Sequence, residues 1–121
     1  LQMELYPSAT QADIKIAKAL LSRYRKNKAI VSEFEKIGPE TLAHNKEIIY
    51  NTALKHTIDI ERAVRLILDP EIREMIEHKY ILGQRHKLTV LKYRGMDQST
   101  VGRKLNEGIE SVAESMKLFD C

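Results

Sequence analysis

Apolar residues recur at steps of three and four along most of this chain, and the breaks between the runs are sharp. Ile14, Ala17, Leu20, Leu21, Tyr24, Val31, Phe34 and Ile37 hold one face of a helix that starts near residues 8–11. Gly38 and Pro39 stop it. Asn27 and Lys28 interrupt the stripe. A helix of about 25 residues extends about 37 Å, longer than a small core needs, which predicts a helical hairpin or a partner helix.

The pattern is helical again from Glu40 to Leu68, with a break expected near His56 and Thr57. Leu42, Ile48, Ile49, Leu54, Ile58, Ala63, Val64, Ile67 and Leu68 supply its apolar positions. Asp69 then caps a new helix with Pro70 at its first position, where the missing N–H costs nothing. That helix, over 70–82, presents Ile72, Met75, Ile76, Tyr80 and Ile81 and closes at Gly83. A short helix over 86–93 carries Leu88, Val90 and Leu91. Arg94, Gly95 and Met96 make a turn, and Asp97 caps a last helix reaching Leu118. Val101, Leu105, Ile109, Val112 and Met116 give that helix the best amphipathic pattern in the chain. The expected fold is all-α: an N-terminal long-helix hairpin over 1–69, then a C-terminal helix-turn-helix over 70–121.

Composition agrees. With 121 residues, five Gly and three Pro, the chain is too poor in turn formers for a loop-rich sandwich or a disordered segment. Cys121 is its one cysteine, which excludes an internal disulfide and argues against a Cys-based zinc site. No apolar run approaches the roughly 18 residues of a membrane span, and the chain does not open on a signal peptide. A soluble, cytoplasmic protein is expected.

The net charge of +3 hides a strong asymmetry. Residues 15–36 carry seven Lys or Arg against two Glu, and residues 85–104 carry six against Asp97 alone, so each island is locally +5. The stretch between them, 37–84, is −2. Screening makes such interactions local, so a basic island attracts polyanions more than the total suggests. For Arg23, Arg25, Lys26, Lys28 and Lys36 of the first island two uses are open: a solvated helix face, or extra contacts to phosphate or polymerase.

The second island coincides with a helix, a glycine turn and a capped helix whose first turns are polar and basic. That is the order of a helix-turn-helix. A helix fits the major groove, where each base pair shows a distinct donor and acceptor pattern. Gln98, Ser99 and Thr100 are placed to exchange hydrogen bonds with base edges, and Arg103 to bind guanine bidentately. Arg85, Lys87, Lys92, Arg94 and Lys104 would meet phosphates. Tyr93 has two uses, a phosphate hydrogen bond or a place in the core.

Residues 72–81, the run from Gly95 through Leu105, and Ile109, Val112 and Ala113 resemble the C-terminal part of ArpU-type phage transcriptional regulators. That part is similar to the promoter-reading region four of sigma factors. Residues 17–25 resemble the family's N-terminal helix more loosely. Lys87, Leu88 and Thr89 stand where the family has acidic residues, Arg94 where it has Leu, and Gly102 where a large residue is common. The resemblance implies a phage or prophage DNA-binding regulator of late genes in a bacterial host cell. Expected partners are duplex DNA with RNA polymerase or a second copy of the chain, and no membrane.

Other chemistry has thin support. His44, His56, His78 and His86 lack metal-site spacing. Asp59, Glu61, Glu71, Glu74 and Glu77 are spaced as caps and solvated faces, with no nucleophile or phosphate loop beside them. Gly102 and Gly108 follow no strand and form no dinucleotide fingerprint. No catalysis, metal or cofactor is expected. Two alternatives stay open: a DNA-packaging adaptor like a phage small terminase subunit, and a protein-interaction module that sequesters a host factor.

Overall fold

The computed structural model describes residues 8–93 and 95–119, apart from the side chains of Lys87 and Val90. Among these residues every regular element is helical. Helix α1 spans Gln11–Ile37, a 3-10 turn Pro39–Thr41 follows, and α2 spans His44–Arg65. Helix α3, Pro70–Ile76, runs on into a π-helical turn Glu77–Ile81; α4 spans His86–Lys92 and α5 Gln98–Phe119. No helix among the described residues is long and apolar enough to cross a membrane.

A capping box starts α1. The Thr10 hydroxyl accepts the Asp13 N–H at 3.1 Å, and the Asp13 carboxylate accepts the Thr10 N–H at 2.8 Å. Lys117 pairs with the same carboxylate at 2.8 Å, joining the last turns of α5 to the first turn of α1. The hydrogen bond from Lys117 and those from Thr10 hold the Asp13 carboxyl down to about 2, from 3.8. A depressed carboxylate stabilises above its unfolded value, and that share is lost as pH falls through the folded value. The urea midpoint should therefore drop between about pH 4 and pH 2, and Asp13→Asn should flatten the drop. An unchanged acid profile in the variant would mean that the cap and its ion pair contribute nothing.

The α1 stripe of Ala17, Leu21, Tyr24 and Val31 continues through position 27, where Asn27 is buried. Only Lys28 turns outward. There its ammonium lies 2.9 Å from Glu61, which also accepts the Tyr24 hydroxyl at 2.6 Å. Further along, the Phe34 and Tyr50 rings lie 6.3 Å apart. Residue 24 thus meets 61 while 34 meets 50, so α1 and α2 lie side by side in opposite directions.

Helix α2 is continuous through His56 and Thr57, where the sequence suggests a break. Thr57 is buried, and its hydroxyl donates to the Ala53 carbonyl at 2.8 Å, so the helix accommodates it without opening. The helix starts at His44 rather than Glu40, because Pro39–Thr41 is taken up by the 3-10 turn. Ala53, Ile60, Ala63 and Val64 are buried, whereas Ile48, Ile49 and Ile58 lie about half in solvent. The first half of α2 therefore adds little to the core.

Asp69 caps α3, accepting the N–H groups of Glu71 at 2.9 Å and Ile72 at 3.3 Å. The α-helix expected over 70–82 loosens at Glu77: the Leu82 N–H reaches back five residues to the Glu77 carbonyl at 2.8 Å. Gly83, at φ +72°, ends the turn in a conformation that other residues rarely adopt.

Val101, Leu105, Ile109 and Val112 of α5 are almost fully buried, with Met116 partly buried behind them. They pack with Leu21, Ile60, Met75 and Ile76 into one cluster. Asp69 and Pro70 separate helices, while the core draws on residues from both sides of them. Gly108 faces inward: a Cβ there would lie 2.5 Å from Ile76 Cγ1 and 3.0 Å from Ile72 Cγ2. Helices α3 and α5 touch at this point with no room for a side chain.

Candidate nucleic-acid interface

Helix α4 is held from beneath by polar contacts. Thr89 is fully buried and shares a 2.9 Å hydrogen bond with His78 Nδ1 in the π-helical turn. Burial keeps the His78 imidazole below its ordinary pKa, and the charge of Lys92 adds to the effect. Leu88 and Leu91, apolar in the sequence pattern, lie about half in solvent. Helix α4 is thus anchored by a threonine while its leucines look outward.

Tyr93, the last residue before the turn, packs partly into the core. Its hydroxyl is buried and has no hydrogen-bond partner among the described residues. Burial first, then the nearby Glu74, Glu71 and Glu77, raise its pKa. Of the two uses open for Tyr93, the structure packs it against the core, with its hydroxyl buried.

Asp97 opens α5. Its Oδ1 accepts the Thr100 N–H at 3.0 Å and the Ser99 hydroxyl at 3.1 Å. Hydrogen bonds from Thr100 and then Ser99 hold its carboxyl below the usual range. A carboxylate thus sits where an anion would otherwise find the positive end of the helix. Attraction for phosphate on this surface has to come from side-chain cations.

Gln98 and Ser99 are exposed, Thr100 is half-buried, and the Arg103 side chain is exposed. Arg103 reaches along its own helix to Glu107 at 3.4 Å, a loose pair in solvent. Ser99, Arg103 and Glu107 form one outward row at steps of four. Gly102 beside them is open: a Cβ there would meet nothing within 4 Å. Arg85 and Lys92 are exposed, and the Lys92 ammonium lies 5.9 Å from the centre of the Tyr93 ring. Arg94 and the side chain of Lys87 lie outside the described residues.

Lys104 differs from the other assigned cations. It is largely covered and donates to Glu71 of α3 at 2.8 Å, a bond that raises its pKa. The helical phase carries a signal for this, since Lys104 shares a row with Val101 and Gly108 and so flanks the buried face. The partner itself is 33 residues away and has no local signature. Nor does the sequence reveal the contact between His78 and Thr89, which depends on the widened turn. Among the described residues no three His, Cys, Asp or Glu side chains gather as a metal-ligand set.

No protein-family model, curated protein or solved structure matches this chain.

Proposed function

We propose that this chain is a sequence-specific duplex-DNA-binding protein, a transcriptional regulator of phage or prophage late genes similar to the ArpU type. In this reading α4, the turn at Gly95 and α5 form a sigma-region-four-like helix-turn-helix, and α1 with α2 forms a hairpin that braces it. It acts by binding, without catalysis or cofactor, on DNA and with RNA polymerase or a second copy of itself. One observation carries the reading. Helix α5 buries Val101, Leu105, Ile109 and Val112 while its first turns present Gln98, Ser99 and Arg103 to solvent, and Arg85 and Lys92 of the preceding segment are exposed as well. A helix so anchored on one face and polar at its exposed start suits insertion into the major groove.

Selection of bound duplexes from a random pool, followed by fluorescence anisotropy across a salt series, tests it. The expected result is an enriched motif whose affinity falls steeply with salt, by a slope of about 0.9 per phosphate neutralised. A palindrome would indicate two copies on half-sites roughly 34 Å apart, and an asymmetric motif a single copy. Failure to bind any duplex at about 50 mM salt would end the proposal.

A second reading, a protein-interaction module, draws on the exposed Ile48 and Ile49. They line a cleft of about 400 Å³ between α1 and α2, with Leu20 and Ile30 opposite. A host protein that co-purifies while every duplex is ignored would favour that reading. A ring-shaped oligomer in light scattering would instead favour the packaging adaptor.

A further inference from the structure

The first basic island reaches the segment that leads into the second. Arg25 of α1 lies against the turn that leads into α4: its guanidinium carbon is 2.8 Å from where a Gly83 side chain would begin. Arg25 and Lys28 also share a cleft with Ile81 of the π-helical turn. In that turn the Lys79 ammonium sits 3.5 Å from His86 Nδ1, at the start of α4. Lys79 is partly desolvated, which lowers its pKa, and the charge of Lys18 adds to the effect.

Lys18 and Arg25 are two helical turns apart on one side of α1. Lys28 is matched by Glu61, Lys36 by Glu33 and Lys104 by Glu71, but Lys18 and Arg25 meet no carboxylate among the described residues. Their position along the fold also fits. Asp13 pairs with Lys117, and Ala17 shares a cleft with Ala113, so α1 and α5 run in opposite directions. Counting about 18 Å along each helix from the Asp13 pair reaches Arg25 on α1 and Leu105 on α5. Arg25 therefore lies level with Leu105, about two turns inside the start of α5.

We infer that Lys18 and Arg25, together with Lys79, form a phosphate-binding strip continuous with α4, so that α1 grips the backbone of the duplex that α5 reads. The inference rests on the DNA-binding function proposed above and adds a second element to the contact. These three cations come from two segments, and neither Lys18 nor Arg25 is paired with a carboxylate among the described residues. Phosphates spaced along a duplex would relieve their mutual repulsion.

The test compares salt slopes on a duplex of about 25 base pairs for wild type, Lys18→Gln, the double variant Lys18→Gln/Arg25→Gln, and Arg103→Ala. Each neutralised strip residue should reduce the slope by about 0.9, and the double variant by about 1.8, equally for specific and unrelated sequences. Arg25→Lys should restore the share of Arg25. Lys18→Gln changes only an exposed side chain, so it gives a result even if the Arg25 variant unfolds. An unchanged slope in both glutamine variants, while Arg103→Ala weakens binding, would overturn the strip and leave the DNA-binding function standing. Loss of binding to anionic vesicles with an unchanged DNA slope would also overturn it, in favour of a lipid surface. Wild type that binds no duplex at all would overturn the function and the strip together.

Discussion

Gly108→Val is expected to destabilise the protein by about 3 kcal/mol, read as a lower urea midpoint at unchanged slope. The added side chain would collide with Ile76 Cγ1 at 2.5 Å and Ile72 Cγ2 at 3.0 Å. Ile76 has no exposed surface and Ile72 only 8%, so neither has space to retreat into. Helices α3 and α5 would have to separate, loosening the platform under the polar end of α5. Ile76→Ala removes the colliding Cγ1, and the Cδ1 that would lie at 2.8 Å, but leaves a cavity, which by itself costs about 2–5 kcal/mol. Because one side chain fills what the other vacates, the double variant should lose less than the two single losses combined. Strict additivity would mean that the two residues are not in contact.

The same helix holds a glycine of opposite character. Gly102 has open space where a Cβ would go, so Gly102→Ala should stabilise α5 by up to about 1 kcal/mol. If DNA passes close to that backbone, the variant melts higher yet binds duplex more weakly. Higher stability with unchanged binding would show that no partner approaches α5 at this position.

These two glycines also show what the sequence can and cannot disclose. The period of Val101, Leu105, Ile109 and Val112 fixes the phase of α5, and that phase places Gly108 near the buried face. Asp69, Gly83 and Asp97 mark their boundaries because caps and left-handed turns depend on the residue itself. The outward row of Ser99, Arg103 and Glu107 is legible for the same reason. The π-helical turn is not, because Ile72, Ile76 and Tyr80 keep a spacing that an ordinary helix would also give. Asn27 looks like an interruption but is buried within the stripe, since polarity alone does not reveal burial. Ile48 and Ile49 look like core but lie about half in solvent, lining an open cleft against α1 rather than a closed contact. The pairing of Lys104 with Glu71 is a tertiary fact, and charge counting assigns that lysine to the surface.

Arg103 and Lys104 are neighbours in the sequence but should give opposite phenotypes. Arg103→Ala is expected to weaken binding to the selected duplex roughly 5- to 150-fold, the worth of one bidentate guanine contact of about 1–3 kcal/mol. Its melting temperature should hardly move, because the ion pair it loses, to the exposed Glu107 at 3.4 Å, is loose and solvated. The loss should also be confined to one base. Replacing the contacted guanine should cost wild type as much as the variant lost, and should cost the variant nothing more. Glu107→Gln should act in the other direction, releasing Arg103 and removing a negative charge from the outward row. Lys104→Ala takes a cation away from Glu71, so it should lower the melting temperature while changing DNA affinity less than Arg103→Ala does. If Lys104→Ala weakens binding more than Arg103→Ala and melts like wild type, the DNA lies on the α3 side of α5. If neither change alters binding, α5 does not read DNA.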